Sequence, residues 1–313
     1  MIIKYFEFEK SIEDIDSKIE ILENKNNDND IDLIKKYKEE KKNLFKKIYN
    51  SLTSWQKVQV ARHSKRPHTL DYINNIFSKF IPLSGDKKFA EDKAIIGGLA
   101  KINDLSVLVI GNEKGSSMET RIKHNFGMAK PEGYRKVQRL FILAEKFKLP
   151  IITFIDTAGA FPGKEAEERG QSESIASSIL QSLKVKTPII SLIIGEGGSG
   201  GAIALATADK ILMLENSIYS VISPEGCASI LWRTTEAVQK AADALKLTAE
   251  ECLKLNIVDK IVKEIPGGAH RFADQQYIIV KETIIAELEE LAKWSVEKLV
   301  NERNEKFLNI TSY

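Results

Sequence analysis

The sequence predicts an α/β protein with a layered core and helical segments at both ends. Between residues 94 and 222, short apolar runs of strand length alternate with segments that have the apolar spacing of helices. Residues 12–48 and 276–307 instead carry apolar side chains every three or four positions in a charged background. A chain of 313 residues, of which 43% are hydrophobic, can bury such a core, so disorder of the whole chain is excluded.

Two helices are predicted at the amino terminus, joined by a polar turn. Two sets of apolar residues recur there at helical spacing: Ile12, Ile15, Ile19 and Leu22, then Ile34, Tyr37, Leu44 and Ile48. Residues 24–32 lie between them, are rich in Asn and Asp, and favour a reversal of the chain. We therefore predict a helical hairpin over residues 1–54, an arm that serves assembly, and one further domain over residues 55–313.

The predicted core begins with a strand hairpin, 94–102 and 105–111, which turns at Asn103 and Asp104. The elements that follow are helix 134–147, strand 151–155, helix 171–183, strand 189–194, a short helix after Ser199, and strands 211–214 and 219–222. Pro224 suits the first turn of the next helix, and Thr248 with Glu251 has the capping-box pattern of another. Residues 276–307 predict one long helix whose apolar face is Ile284, Leu288, Leu291 and Leu299.

Charge and cysteine content exclude several classes of protein. The 46 basic residues nearly balance the 44 acidic ones, so the chain lacks the overall basic field of a dedicated nucleic-acid binder, although local patches stay open. Two cysteines and four scattered histidines argue against a disulfide framework or a structural metal. The amino terminus resembles no secretory or transit signal and no apolar run reaches membrane length, so we expect a cytoplasmic protein with no membrane contact.

The most informative segment is residues 194–202, a glycine-rich junction between a strand and a helix. Gly195, Gly197 and Gly200 fit a dinucleotide fingerprint with Glu215 twenty residues beyond Gly195, but the helix that follows is short. Gly197 and Gly201 flank Ser199 in the G-x-S-x-G pattern of a hydrolase nucleophile. That alternative would use His270 with Asp243 or Asp259 as its acid. A phosphate loop is excluded because no Lys follows the glycines.

A further interpretation of this junction needs no catalytic side chain. Glycines that open a helix leave backbone N–H groups free to stabilise a developing oxyanion, and the missing Cβ lets a planar substrate approach. A second loop, residues 156–163, follows the neighbouring strand and contains Gly159 and Ala160. Loops at the carboxyl ends of such strands are expected to face one pocket. The basic stretch 121–136 is a third candidate, for holding ligand phosphates.

Several segments together resemble one family. They are residues 194–202, residues 220–232, Asn125-Phe126-Gly127 with residues 131–136, Ala61-Arg62-His63 with Arg66-Pro67 and Asp71-Tyr72, and residues 267–271. They resemble the alpha subunit of acetyl-CoA carboxylase carboxyltransferase, over nearly the whole chain and in the same order along it. The resemblance implies a crotonase-like (ClpP/crotonase) core of ββα units, with the helical hairpin before it and the long helix at its end.

The resemblance also implies a reaction and partners. Carboxybiotin on a separate biotin carboxyl carrier protein would give its carboxyl group to acetyl-CoA, yielding malonyl-CoA for fatty acid biosynthesis. Biotin carboxylase and a beta subunit with a zinc ribbon would complete the system, the beta subunit in an α2β2 assembly, with no metal in this chain. Gly197 and Gly198 match the family's glycine pair and are the expected catalytic donors. Gly159 and Ala160 would complement them, and Gly200 and Gly201 would permit close approach of substrate.

The chain departs from the family pattern at Asn112, Glu113, Ala158 and Phe161. The family often has a His-Gln pair at the first two positions, Pro at the third and Tyr at the fourth. These departures call into question any role of side chains in the two loops, because the Tyr hydroxyl is lost. A serine hydrolase that uses Ser199, and a non-catalytic scaffold that docks partners through residues 1–54, remain as alternatives.

Overall fold

The computed structural model describes residues 4–25 and 30–310 and folds them around one mixed β-sheet. Its strands are β1 (Ser78–Pro82), β2 (Ile95–Ile102), β3 (Leu105–Asn112), β4 (Ile151–Thr157), β5 (Ile189–Gly198), β6 (Lys210–Leu214), β7 (Ile218–Ser220) and β8 (Lys260–Val262). The sheet order is β1-β2-β3-β4-β5-β6-β8, and β7 pairs with the end of β5. Strands from β3 onward are parallel, whereas β1, β2 and β3 pair antiparallel.

The helices lie on both faces of this sheet and at its ends. They are α1 (Lys10–Lys25), α2 (Ile31–Tyr49), α3 (Ser54–Ala61), α4 (Thr69–Ile76), α5 (Met118–Lys123), α6 (Pro131–Phe147), α7 (Lys164–Glu168), α8 (Gln171–Lys184), α9 (Ser199–Ala206), α10 (Pro224–Trp232), α11 (Val238–Ala244), α12 (Ala249–Lys254), α13 (Ala273–Leu291) and α14 (Val296–Asn309). The predicted α/β architecture is confirmed, including the turn at Asn103, which has a positive φ of 51°.

Alternate residues of β4 and β5 point to opposite faces, and both faces are buried. Ile189 and Ile193 join the core beneath α6 and α9, whereas Ile190 and Leu192 join the core beneath α4 and α13. A parallel strand covered on both sides needs apolar side chains at every position. This explains why the sequence shows continuous apolar runs here rather than strict alternation.

The one long carboxyl-terminal helix predicted from the sequence is instead two helices. α13 ends at Leu291 and α14 begins at Val296, after an N-cap at Ser295 whose side chain accepts a hydrogen bond from the Lys298 N–H at 3.2 Å. After the break, Arg303 of α14 donates to Asp209, the residue before β6, at 2.8 Å. Apolar periodicity runs through both helices and therefore did not reveal the break. The sequence also missed the short strands β1 and β8 and the helices α3 and α4.

The predicted amino-terminal hairpin is confirmed where the structure describes it. α1 packs on α2, with an ion pair of 2.8 Å between Lys38 and Glu23 and another between Lys41 and Asp16. Residues 26–29, within the predicted turn, lie outside the described residues, as do residues 1–3 and 311–313. Buried Glu9 anchors the segment before α1 to the core by accepting from Arg271 at 2.8 Å. The division into an arm and one domain stays a prediction.

Two stacked histidines lie at this anchor and make stability depend on pH. The rings of His63 and His270 are 4.1 Å apart and buried. Burial lowers the pKa of His270, and His63, Arg271 and Arg66 lower it further. Burial also lowers the pKa of His63, with Arg271 and Arg66 acting in the same direction, against Lys4 O and Glu9, which raise it. Both rings are therefore neutral in the folded state at neutral pH.

We expect thermal stability to fall as the pH drops below about 6.5, the ordinary pKa of histidine. Below that value the unfolded chain binds protons that the folded chain does not, which costs up to about 1.4 kcal/mol per pH unit for each histidine. Melting temperatures of the wild type and of His270→Gln, measured from pH 8 to pH 5.5, check this. The variant should show the shallower decline, and parallel declines would contradict the prediction.

Candidate active site

The two glycine-containing loops meet at the carboxyl ends of β4 and β5. Thr157, the last residue of β4, lies opposite Gly197 near the end of β5. A Cβ added to Gly198 would stand 2.2 Å from the Ala158 carbonyl oxygen, and one added to Gly201 would stand 2.6 Å from the Gly159 carbonyl carbon. The expectation that these strand ends face one site is therefore supported by direct backbone contact between the loops.

This contact changes what the glycines do. The predicted role of Gly201 was close approach of substrate, but Gly198 and Gly201 are required first by the neighbouring loop. Gly200 has only an ordinary contact of 3.6 Å with Ile175, so packing leaves room for a Cβ there. Gly159 has a positive φ of 153° and serves the turn itself.

The backbone N–H groups of the predicted donors differ in availability. Gly197 is buried within the sheet between Thr157 and Tyr219, whereas Gly198 at the strand end is half-buried. The Gly159 N–H is already bonded to the Thr157 hydroxyl at 3.1 Å. Ala160, half-buried, has no backbone N–H partner among the described residues. The first turn of α9 adds N–H groups without a partner inside the helix.

Two connected clefts open beside these loops. One of about 300 Å³ is lined by Ala61, Arg62, His63, His68, Lys114, Arg121, Phe126, Ala158 and Glu196. A smaller one of about 30 Å³ is lined by Arg62, Ala158, Glu196, Gly197, Gly198, Ile218, Ser220, Ile222 and Ser223. The two share Arg62, Ala158 and Glu196, so the glycine junction and the charged cleft form one site.

A network of charged side chains forms the wall of the larger cleft. The Lys114 ammonium contacts Asp156 at 2.8 Å and Glu196 at 2.6 Å. His68 Nδ1 lies 2.8 Å from Asp156, and Arg62 donates to Glu196 at 2.6 Å and to Glu225 at 2.6 Å. Burial alone would raise the pKa of Asp156, but Lys114 and His68 hold it below its usual range. Glu196 likewise has a lowered pKa: burial is outweighed by Lys114 and Arg62. These carboxylates are ionised at neutral pH.

Sequence reasoning missed this network. Its members come from β4, β5, the start of α10 and the segments around α3 and β3, and charged residues alone carry no signal of such convergence. The available hint was that Ala61-Arg62-His63 belongs to the resembling segments while lying outside any predicted element. Of the basic stretch 121–136, Arg121 lines the cleft, whereas Arg135 is paired with Asp86 at 2.8 Å.

The departures at residues 112, 113 and 161 serve the scaffold. Both carboxylate oxygens of buried Glu113 accept backbone N–H groups, from Leu70 at 2.8 Å and Gly115 at 2.7 Å. The Asn112 amide donates to the Gly127 carbonyl at 3.4 Å. The Phe161 ring lies under the Lys130 ammonium, 4.8 Å from its centroid. Ala158, by contrast, lines both clefts.

The hydrolase alternative lacks the hydrogen bonds that would link its catalytic residues. His270 stacks on His63 and neighbours Arg271, while Asp259 accepts from the Ile211 N–H and pairs with Lys306. Neither contacts Ser199 among the described hydrogen bonds. The dinucleotide interpretation fails as well, because Glu215 is held by Lys263 and by the Glu264 N–H.

Comparison with known proteins decides the family. The family model described as "Acetyl co-enzyme A carboxylase carboxyltransferase-like" matches residues 5–311. The chain belongs to this family. A relative from Rhodospirillum centenum, named acetyl-coenzyme A carboxylase carboxyl transferase subunit alpha, is 52% identical over 98% of this chain and 98% of its own. The family and the transferase function predicted from the sequence are confirmed, and the hydrolase alternative receives no support.

Solved structures agree on the fold of this carboxyltransferase-family chain. A transcarboxylase 12S structure, a hexamer with methylmalonyl-coenzyme A bound, matches with a TM-score of 0.58 and 17% identity over 71% of this chain and 41% of its own. The beta subunit of geranyl-CoA carboxylase from P. aeruginosa matches with a TM-score of 0.53 and 19% identity over 73% of this chain and 45% of its own. The predicted crotonase-like fold is therefore confirmed.

No group of three or more His, Cys, Asp and Glu side chains among residues 4–25 and 30–310 is placed to hold a metal ion. None of the helices in those ranges is both long and apolar enough to cross a membrane.

Proposed function

We propose that this chain is the alpha subunit of an acetyl-CoA carboxylase carboxyltransferase that acts in the cytoplasm and contributes the biotin-facing half of the site. The carboxyl group would pass from carboxybiotin, carried on a separate biotin carboxyl carrier protein, to acetyl-CoA, giving malonyl-CoA. The single observation that supports this most is the backbone contact of the two loops beside an open cleft, at Gly198 and Ala158. The family match is the reason for assigning carboxyl transfer to that geometry.

The groups present are of the type that binds the urea oxygen of carboxybiotin, since backbone amides and serine hydroxyls donate hydrogen bonds. The space beside Gly159 is open, since a Cβ there would meet nothing closer than 4.0 Å, and the smaller cleft has amide and hydroxyl groups on its walls. We assign Gly198, with Gly197 behind it, as the catalytic pair, and Ala160 as the complementing donor. Gly159 and Gly201 shape the loops around them, whereas Gly200 has room for a side chain and no assigned role. When bound, carboxybiotin supplies the carboxyl group and, once that has left, a ring nitrogen that can take a proton.

The chain's own contribution is electrostatic. Backbone N–H groups held by a rigid sheet can donate to an oxygen as negative charge develops on it, without reorganising first. The α9 dipole adds to this stabilisation at the helix start. Because the donors belong to the backbone, the site has no need of a protein nucleophile, and Asp156 and Glu196 are engaged in ion pairs with Lys114.

We further propose that a beta subunit with a zinc ribbon completes the site in an α2β2 assembly, that biotin carboxylase supplies the carboxylated carrier, and that residues 1–54 form an assembly arm on the domain of residues 55–313. The small size of the cleft of about 30 Å³ supports this, because it is far too small to enclose two substrates and so needs further walls from a partner. Exposed Val221, Ile230 and Leu231 lie on the segment that borders the same cleft.

Co-purification with the beta subunit of the same organism tests the proposal. We expect no malonyl-CoA formation from acetyl-CoA and carboxylated carrier protein by this chain alone, and robust formation by the pair, because the pocket is shared. Turnover by the isolated chain, or its absence in a correctly assembled pair, would overturn the proposal. Labelling of Ser199 by a fluorophosphonate would revive the hydrolase alternative.

A further inference from the structure

Lys114 occupies an unusual place between the two loops. It follows β3, and its side chain is 15% exposed and lies between two more deeply buried carboxylates. Asp156, at 2.8 Å, is the residue before Thr157 at the end of β4, and Glu196, at 2.6 Å, is the residue before Gly197 in β5. One ammonium group therefore joins the ends of the two strands that carry the loops.

Other contacts tighten the same junction. The Glu196 N–H donates to Asp156 Oδ1 at 3.0 Å, and a Cβ on Gly195 would stand 2.5 Å from that oxygen. His68 holds the second oxygen of Asp156 at 2.8 Å. Arg62 ties Glu196 to Glu225, on α10 beyond β7. Removal of Lys114 would leave two ionised carboxylates facing each other with little water to screen them, and their repulsion would push the strand ends apart.

We propose that Lys114 is a positioning residue that sets the separation of the two loops, acting through Asp156 and Glu196 and not through contact with substrate. This inference rests on the proposed function, because the loops carry the assigned donors. Displacement of reacting groups by about 1 Å can cost about 100-fold in rate. Lys114 itself remains protonated, since Asp156 and Glu196 raise its pKa against the effect of burial, so it is no proton carrier.

The test uses the assembled alpha and beta subunits with Lys114→Met, which keeps length and removes charge, and Lys114→Arg, which keeps charge. We expect Lys114→Met to lower kcat about 10- to 100-fold while each KM changes less than about threefold, and Lys114→Arg to recover part of the loss. The matched control is Lys57→Met, which removes another buried lysine from an ion pair, here with the partly exposed Glu250 at 2.6 Å, outside both clefts. That control should leave kcat within about twofold of wild type.

Two further readouts separate positioning from general destabilisation. In Lys114→Met the carboxylates of Asp156 and Glu196 should share a proton, so kcat should recover as the pH falls. Lys57→Met should show no such recovery. Amide hydrogen exchange of the isolated chain should rise at least about tenfold in residues 157–160 and 196–201 only. Glu196→Gln, which weakens one anchor, should give a smaller kcat loss and serves if Lys114→Met does not fold.

The outcomes are distinct. A raised KM at unchanged kcat would make Lys114 a substrate-binding residue, and unchanged exchange in both loops would remove its positioning role; either result overturns the inference. Failure of the proposed function would instead show as an inactive wild-type complex, whatever the exchange in the loops of Lys114→Met.

Discussion

Gly198→Ala is expected to lower kcat of the assembled enzyme by about 10²- to 10³-fold, the loss typical of a displaced oxyanion donor. A Cβ at this position would lie 2.2 Å from the Ala158 carbonyl oxygen and 2.8 Å from the Thr157 carbonyl oxygen. Backbone atoms of a sheet terminus cannot move aside as a flexible side chain can. The loop after β4 must therefore shift, and the N–H groups of Gly198 and Ala160 no longer point to the same oxygen position. Steady-state kinetics of the complex would measure the effect.

Gly200→Ala is the matched control for this substitution. It adds the same methyl group two residues away, where the nearest atoms are side-chain carbons of Ile175 at 3.6 Å and φ is not positive. We expect its kcat to remain within about threefold of wild type, since packing alone does not oppose the added group. Equal losses in both variants would show that the whole junction, rather than the Gly198 contact, limits turnover. A fully active Gly198→Ala would contradict the assignment.

Arg303→Met is expected to destabilise the chain by about 3–5 kcal/mol, the cost of leaving one member of a buried ion pair alone. The Arg303 guanidinium is fully buried and forms a double hydrogen bond with Asp209, at 2.8 and 2.7 Å. It also donates to the carbonyls of Ser182, Val185 and Thr187, at 2.6, 2.7 and 3.0 Å. Asp209 in turn accepts the Ile189 N–H at 2.7 Å, so the loss would reach the start of β5.

Chemical denaturation of the isolated chain measures this effect, and Lys298→Met provides the comparison on the same helix. Lys298 is exposed and its ammonium lies 4.5 Å from the Trp294 ring centroid, so its removal should cost no more than about 1 kcal/mol. If Arg303→Met unfolded at the same denaturant concentration as Lys298→Met, α14 would not be held to the sheet through Asp209.

Local sequence patterns predicted most of the helices and strands, because the interactions that favour these elements are between residues close together in the chain. The apolar runs of β4 and β5, the turn at Asn103 and the cap at Thr248 each depend on neighbouring residues, and the structure has all of them. The break between α13 and α14 accompanies a long-range contact, from Arg303 to Asp209, and apolar periodicity along the chain therefore did not predict it. The edge strand β1 was missed because its sequence is short and mostly exposed.

The sequence by itself determined the family and its carboxyltransferase activity, and it predicted the two loops that we propose as the site. These follow from the order of residues along the chain, which is known without a structure. Only the tertiary structure decided which glycines are required by the facing loop, which amides remain available, and that Lys114 joins Asp156 to Glu196. The contacts between the loops and those of Lys114 join residues that are 40 to 82 positions apart in the chain, and no local pattern encodes such distances.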